Sequence, residues 1–203
     1  MQEVAQISAG PQIGPNSIIQ TVAAAREQYG DEAVAAWLRR TGRAHLLEAM
    51  PDHMLPESEF GALIDDLRQW LGISAAMQVL ARSGDLTANY VATNRVPGFI
   101  RLLLPRLPVG FALRIFLPAI ARHAWTFAGS GRFGYTLQPV WRLTLADSVE
   151  ARGVQAREPV CAYYRAAFAG LLQRVVCDRL RVEEVACRAM GAAQCEFRVS
   201  LSK

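Results

Sequence analysis

The chain has 203 residues, 52% of them hydrophobic and 20% charged, with a formal net charge of +4 and a pI of about 9.1. That composition supplies a core and excludes general disorder. The mild, dispersed positive charge suits an anionic ligand, an acidic partner or a membrane surface, and argues against nucleic acid. Four cysteines read as metal ligands or buried thiols rather than a disulfide framework. No basic segment followed by an apolar stretch opens the sequence, so the expected location is cytoplasmic.

Residues 1–15 hold glycines and prolines without a helical period and read as a flexible lead-in. Asn16 or Ser17 can cap a helix running to about Tyr29 and closed by Gly30. Asp31 can cap the next, with Val34, Trp37 and Leu38 along it and Gly42 after it. A short third helix, Ala44 to Met50, stops before Pro51. These signals define an N-terminal helical extension over residues 1–54, followed by a second unit over residues 55–203. His45 reads as a helix-surface residue and His53 as a solvated loop residue.

Leu55-Pro56-Glu57-Ser58-Glu59 opens a helix on which Phe60, Leu63, Ile64, Leu67, Trp70 and Leu71 recur at helical spacing. Asp65 and Asp66 diverge by about 100° as consecutive helix positions and read as a solvated face rather than a catalytic pair. Another helix spans about Ser74 to Val91, loosened at Ser83-Gly84. The run Val96 to Phe127 is apolar almost throughout but is interrupted by Arg101, Arg106, Arg114 and Arg122 and by prolines. It is too broken for a transmembrane helix, which needs roughly 20 apolar residues. Two amphipathic helices broken near Pro105 to Pro108 fit better. Core packing, an apolar cavity with arginines at its mouth and a membrane-facing surface all remain open for them.

After Gly129-Ser130-Gly131, strands are expected over Arg132–Gln138 and Val140–Asp147, where Trp141, Leu143 and Leu145 alternate with Arg142 and Thr144. A polar connection leads to a helix from Pro159 to about Val175, and a closing hairpin turns at Met190-Gly191-Ala192-Ala193. On this last stretch lie Cys161, Glu184, Cys187 and Cys195, at intervals of 23, 3 and 8 residues. Thiolates and a carboxylate suit tetrahedral zinc; ordinary buried cysteines are the alternative. Cys161 falls near a helix start, and Cys195 on the inward face of the last strand. Glu184 and Cys187 face opposite sides of a flat strand, so both reach one ion only if the strand bulges between them.

The segment Cys161, Gly170, Glu184-x-x-Cys187, Gly191, Cys195-Glu196-Phe197 resembles the C-terminal part of a V4R (4-vinyl reductase) domain. The stretches Ile13–Gln20 (IGPNSIIQ) and Leu55–Phe60 (LPESEF) extend the resemblance to the bacteriochlorophyll 4-vinyl reductase family of photosynthetic bacteria. It implies an α+β fold: N-terminal helices, then V4R-type helices packed on a small antiparallel sheet with a metal-tied C-terminal hairpin. It also implies a structural zinc on Cys161, Glu184, Cys187 and Cys195, without Cys177, as in phenol-responsive sensor domains of the V4R type. The ligand implied is a magnesium tetrapyrrole. Its ring would lie against the Phe99–Trp125 run, with Arg122 or Arg114 meeting a propionate and His123 offering an axial nitrogen. Trp125, Phe127, Tyr135 and Trp141 are the candidate stacking residues.

A vinyl reduction needs an electron source, and the residues offer none that is visible. There is no G-x-G-x-x-G after a strand, no iron–sulfur spacing and no obvious flavin motif. Three readings follow: a protein presenting a divinyl protochlorophyllide-type intermediate to pathway enzymes, a reductase using an external electron donor, and a protein–protein scaffold. The partners expected are enzymes of bacteriochlorophyll synthesis, a peripheral contact with the photosynthetic membrane, and a second copy of the chain as a homodimer.

Overall fold

The computed structural model describes residues 10–202. The first nine residues of the expected lead-in lie outside them. Its last part is ordered structure: β1 (Gln12–Ile13) pairs antiparallel with β2 (Leu55–Pro56). Ile13 is buried there, and its burial anchors the segment. The helix α1 (Asn16–Tyr29) follows without the expected side-chain cap. The Ser17 hydroxyl instead donates back to the Gly14 carbonyl. In α2 (Asp31–Arg40), Asp31 is the first helical residue rather than the cap; Gly30, at a φ of 81°, makes the turn. The helix α3 is limited to His45–Glu48.

The helix α4 (Glu57–Leu71) buries Phe60, Leu63, Ile64 and Leu67, as the spacing predicts. The next helix, α5 (Ile73–Asn94), runs unbroken through Ser83-Gly84, where a loosening was expected. Both residues are buried. The Ser83 hydroxyl meets that of Thr21 on α1 at 2.8 Å, and Gly84 lies against the helix α9 (Ala162–Val175). A Cβ at Gly84 would stand 2.2 Å from the Tyr163 carbonyl oxygen. The small residues mark a close crossing, not a break.

The apolar run forms α6 (Gly98–Leu103), a 3₁₀ turn at Leu104–Arg106 and α7 (Val109–Arg122), with a short α8 (Trp125–Ala128) after it. The break falls where the prolines predict it. A four-stranded antiparallel sheet follows, in the order β3 (Arg132–Thr136), β4 (Arg142–Ala146), β6 (Cys195–Leu201), β5 (Leu180–Ala186). Alternation holds on the inner face: Leu143, Leu145, Cys195, Phe197 and Val199 are buried. Helices α5 and α9 cross above this layer, and an aromatic cluster of Phe127, Phe133, Phe168 and Phe197 joins α8, β3, α9 and β6. The fold is α+β, helices on a small antiparallel sheet. No helix among the described residues is long and apolar enough to cross a membrane.

Candidate metal centre

Cys161 sits at the residue before α9, with Pro159 and Val160 leading into it. The helix begins at Ala162 rather than at Pro159, so the cysteine lies at the helix mouth and not inside its first turn. Its backbone N–H donates to Glu184 Oε2 at 2.9 Å. Glu184 gains this position through the bulge that the spacing requires. The β5–β6 register shifts between Glu184 and Ala186, and Val185, the extra residue, points outward. Leu180, Val182, Glu184 and then Cys187 therefore all face inward. Cys187 enters the 3₁₀ turn Arg188–Met190, and Gly191, at a φ of 90°, returns the chain towards Cys195 on β6.

All four residues are buried, and their ligand atoms lie within 4.8 Å of one another. The sulfurs of Cys161 and Cys195 are 3.4 Å apart; Cys187 is 3.9 Å from each. A disulfide requires about 2.05 Å. Three thiolates on a tetrahedral ion with metal–sulfur bonds of about 2.3 Å stand about 3.8 Å from each other, so the observed triangle matches a metal-binding set. The fourth donor is equally prepared. Glu184 Oε2 is held by the Cys161 amide, while its Oε1 is buried without a hydrogen-bond partner. A buried carboxylate oxygen left unpaired is costly unless a cation takes it.

The electrostatics lead to the same conclusion. Hydrogen bonds from Cys161 and Cys195 hold the Cys187 thiol far below its ordinary value, whereas the bond to Cys187 pushes Cys161 far up. Cys195 is pulled down by Cys161 but pushed further up by Cys187 and by burial, to about 12. Burial raises the Glu184 carboxyl to about 8. Without a cation the four groups oppose one another's ionisation, because each buried charge raises the cost of the next. A divalent cation would displace those protons and stabilise all four ligands as anions. Cys177, half-buried and next to Asp178, stands apart from the set.

A residue that the sequence reading passed over supports the centre. Glu150, in the connection read as merely polar, is fully buried and accepts the backbone N–H groups of Tyr163 and Tyr164 at 2.9 and 3.0 Å. It caps α9 from 13 residues upstream and so fixes the helix mouth where Cys161 lies. The Ser148 hydroxyl, from the same connection, meets the Cys161 sulfur at 3.3 Å. No local signal marks either role, because both partners lie well downstream in the sequence.

The seven expected ligand-binding residues fall into three groups. Arg114, Arg122, His123 and Trp125 are exposed on the outer side of α7 and its C-terminal end. The His123 Nδ1 pairs with the Ala119 carbonyl at 2.8 Å. Phe127 is packed edge-on against Phe133 and Phe168, within the aromatic cluster. Tyr135 and Trp141 are half-buried on the sheet, Trp141 lying beside Gly110 at the start of α7. The inner face of α7 is filled by Leu113, Phe116, Leu117 and Ile120 against the core, which leaves only its outer face free. Two clefts, of about 270 and 330 Å³, lie elsewhere. One is beside Met77, Arg165 and Glu184; the other is at the sheet edge around Gln138, Arg142 and Glu196.

Residues 141–201 match the V4R domain family. The three strands β4, β5 and β6, together with α9 and all four residues of the cluster, lie within that match. Over nearly its whole length the chain is also similar to two curated proteins. It is 30% identical over 201 residues to the bacteriochlorophyll synthase 23 kDa chain of Cereibacter sphaeroides, covering 96% of this chain and 95% of that one. It is 35% identical over 189 residues to the protein of the same name from Rhodobacter capsulatus, covering 92% and 86%. The chain belongs to this family, a family of bacteriochlorophyll biosynthesis. The fold is also similar to that of the phenol-responsive sensory domain of the transcription activator PoxR, solved with phenol. That match has a TM-score of 0.54 at 17% identity, over 72% of this chain and 75% of that one.

Proposed function

We propose that this protein binds a magnesium tetrapyrrole intermediate of bacteriochlorophyll synthesis, of the divinyl protochlorophyllide type, and presents it to enzymes of that pathway. Residues 55–203 would form the binding unit, with residues 10–54 packed onto it. The observation that carries the reading is the surface at the end of α7. Arg122, His123 and Trp125 lie within four residues and are all exposed. A flat apolar ring with an acidic tail needs apolar area, a cation for its carboxylate and, for the magnesium, an axial nitrogen. Here the ring would lie on an open face rather than in a closed slot, which suits handover more than retention.

In this reading Cys161, Glu184, Cys187 and Cys195 hold zinc. Four protein ligands leave no position for substrate, and zinc is redox-silent, so the ion would tie the closing hairpin to the mouth of α9. The fit rests on the sulfur triangle and on the unpaired Glu184 Oε1. Protein purified without chelator should contain about one zinc per chain by elemental analysis; a metal-free preparation of folded protein counts against the site.

Absorbance titration with a divinyl magnesium tetrapyrrole, in lipid-free buffer, tests the ligand. The parent should shift the pigment band, and Arg122→Ala and His123→Ala should each weaken binding by about tenfold, as expected for the loss of about 1.4 kcal/mol. Unchanged affinity in both variants moves the site off α7. Formation of the ethyl product with reduced nicotinamide would favour the reductase reading instead.

A further inference from the structure

Between Asp85 and Asp147 the sequence contains no acidic residue. Seven of the 22 basic side chains and none of the 18 acidic ones lie there, so the rest of the chain carries a formal net charge of −3. The overall +4 therefore conceals a segregation. The basic segment is also where apolar side chains are most exposed. Six of the twelve large hydrophobic residues exposed among the described residues fall between positions 99 and 125: Phe99, Leu102, Leu103, Phe111, Ile115 and Trp125. Phe99 is 69% and Leu102 62% exposed.

The helix α6 is the sharpest case. Its sequence, GFIRLL, is apolar on every side but for one arginine, yet none of its six residues is buried. On α7 the outward positions Phe111, Arg114, Ile115, Pro118, Ala119 and Arg122 follow one another at helical spacing. Apart from the arginines, that outer face is apolar. Nine arginines are paired with acids, and Arg101, Arg106, Arg114 and Arg122 are among those that, among the described residues, have no carboxylate within 4 Å.

We propose that α6, the 3₁₀ turn after it and the outer face of α7 dock on the surface of an anionic phospholipid bilayer. Apolar tips that find no protein to cover them would enter the acyl boundary. The unpaired guanidinium groups beside them would reach lipid phosphates, with their stems lying along the apolar face. Neither helix can span a bilayer: α7, at 14 residues, is about 21 Å long. The arrangement is that of helices lying on a membrane. A protein partner would have to be acidic along this whole ridge and to cover two helices and the turn between them; a lipid surface meets both demands without any matching shape.

The inference builds on the proposed pigment site only in that both use α7, and the two separate experimentally. Phe99 and Leu102 lie outside the Arg122–Trp125 surface proposed for the pigment and are exposed, so Phe99→Asp with Leu102→Asp should leave the fold intact, as circular dichroism would verify. The full-length zinc-loaded protein is floated with vesicles of equal parts phosphatidylglycerol and phosphatidylcholine, and with pure phosphatidylcholine vesicles. The parent should float with the anionic vesicles, bind the neutral ones at least tenfold less, and lose most of its binding at about 0.5 M salt, where screening is short-ranged. The double variant should bind anionic vesicles at least tenfold less while binding pigment in lipid-free buffer like the parent. A parent that does not float, or a double variant that floats as well as the parent, overturns the inference and leaves the pigment site standing. A double variant that loses pigment binding too overturns it in favour of a pigment surface on α6.

Discussion

Glu150 shows how one side chain can determine a site that it does not join. Its carboxylate takes two N–H groups at the mouth of α9, and its own carbonyl accepts from Arg68 at 2.7 Å. Burial nevertheless outweighs these bonds and raises its carboxyl to about 7. The consequence for stability has a definite sign. Between about pH 4.5 and 7 the folded state keeps a proton that the unfolded chain has already released, so the contribution of this residue falls as pH rises and levels off above about 7. Its size is on the order of 3 kcal/mol. Glu150→Gln keeps an accepting oxygen but cannot titrate. Urea midpoints measured from pH 4.5 to 7.5 should show a flatter profile for the variant than for the parent; parallel profiles would show that Glu150 does not titrate in this range. The four residues of the buried cluster could be picked out in the sequence, since thiols and a carboxylate are chemically conspicuous and their intervals required a bulge that β5 contains. Glu150 was not, because it is one acid among 18 and its partners are set by the fold.

At the scale of elements, α5 and α9 hold the molecule together by coming unusually close. Gly84 faces the Tyr163 carbonyl, and Gly170, on the other helix, has the Ala88 methyl 2.9 Å from where its own Cβ would lie. Propensity alone reads Ser83-Gly84 as a weak point in a helix. Packing reverses that reading, and with it the sign of a mutation. On an exposed helix, Gly→Ala stabilises by roughly 1 kcal/mol. Gly84→Ala should instead destabilise by about 1–3 kcal/mol, because a methyl group 2.2 Å from a backbone oxygen forces the helices apart. Gly98, exposed in α6 with its nearest neighbour at 3.9 Å, is the matched control: Gly98→Ala should be neutral or slightly stabilising. Urea denaturation of both variants checks the contrast, and equal effects would remove the close crossing as its cause. The break between α6 and α7 was legible because prolines act locally. The pairing of β1 with β2 was not, because two-residue strands carry no period and form only once Ile13 is buried.

On the scale of the whole molecule, the α+β class and the closing hairpin could be read from alternation and spacing. The destination of the Val96–Phe127 run could not, since an apolar helix looks the same whether its second face meets core, ligand or membrane. The cluster that could hold a metal lies where these parts join. Cys161 belongs to the approach to α9, Glu184 and Cys187 to β5 and its turn, and Cys195 to β6, so one ion would add a direct link from the mouth of α9 to two strands already paired with each other. Zinc bound only to the folded chain stabilises by on the order of 4 kcal/mol when its free concentration is a thousand times its Kd. In a chain of this length that corresponds to roughly 8–16 °C in Tm. Cys187→Ser should therefore lose zinc and melt lower by an amount in that range, and a strong chelator should bring the parent down to the same level. Acid should act in the same direction, since protons compete with the ion for three thiolates and a carboxylate. The variant should lose no vesicle binding or pigment binding below its melting point, because neither α6 nor α7 contributes a ligand. If binding fails while circular dichroism shows the protein still folded, the ion does more than tie the hairpin, and its site must communicate with α7 across the sheet.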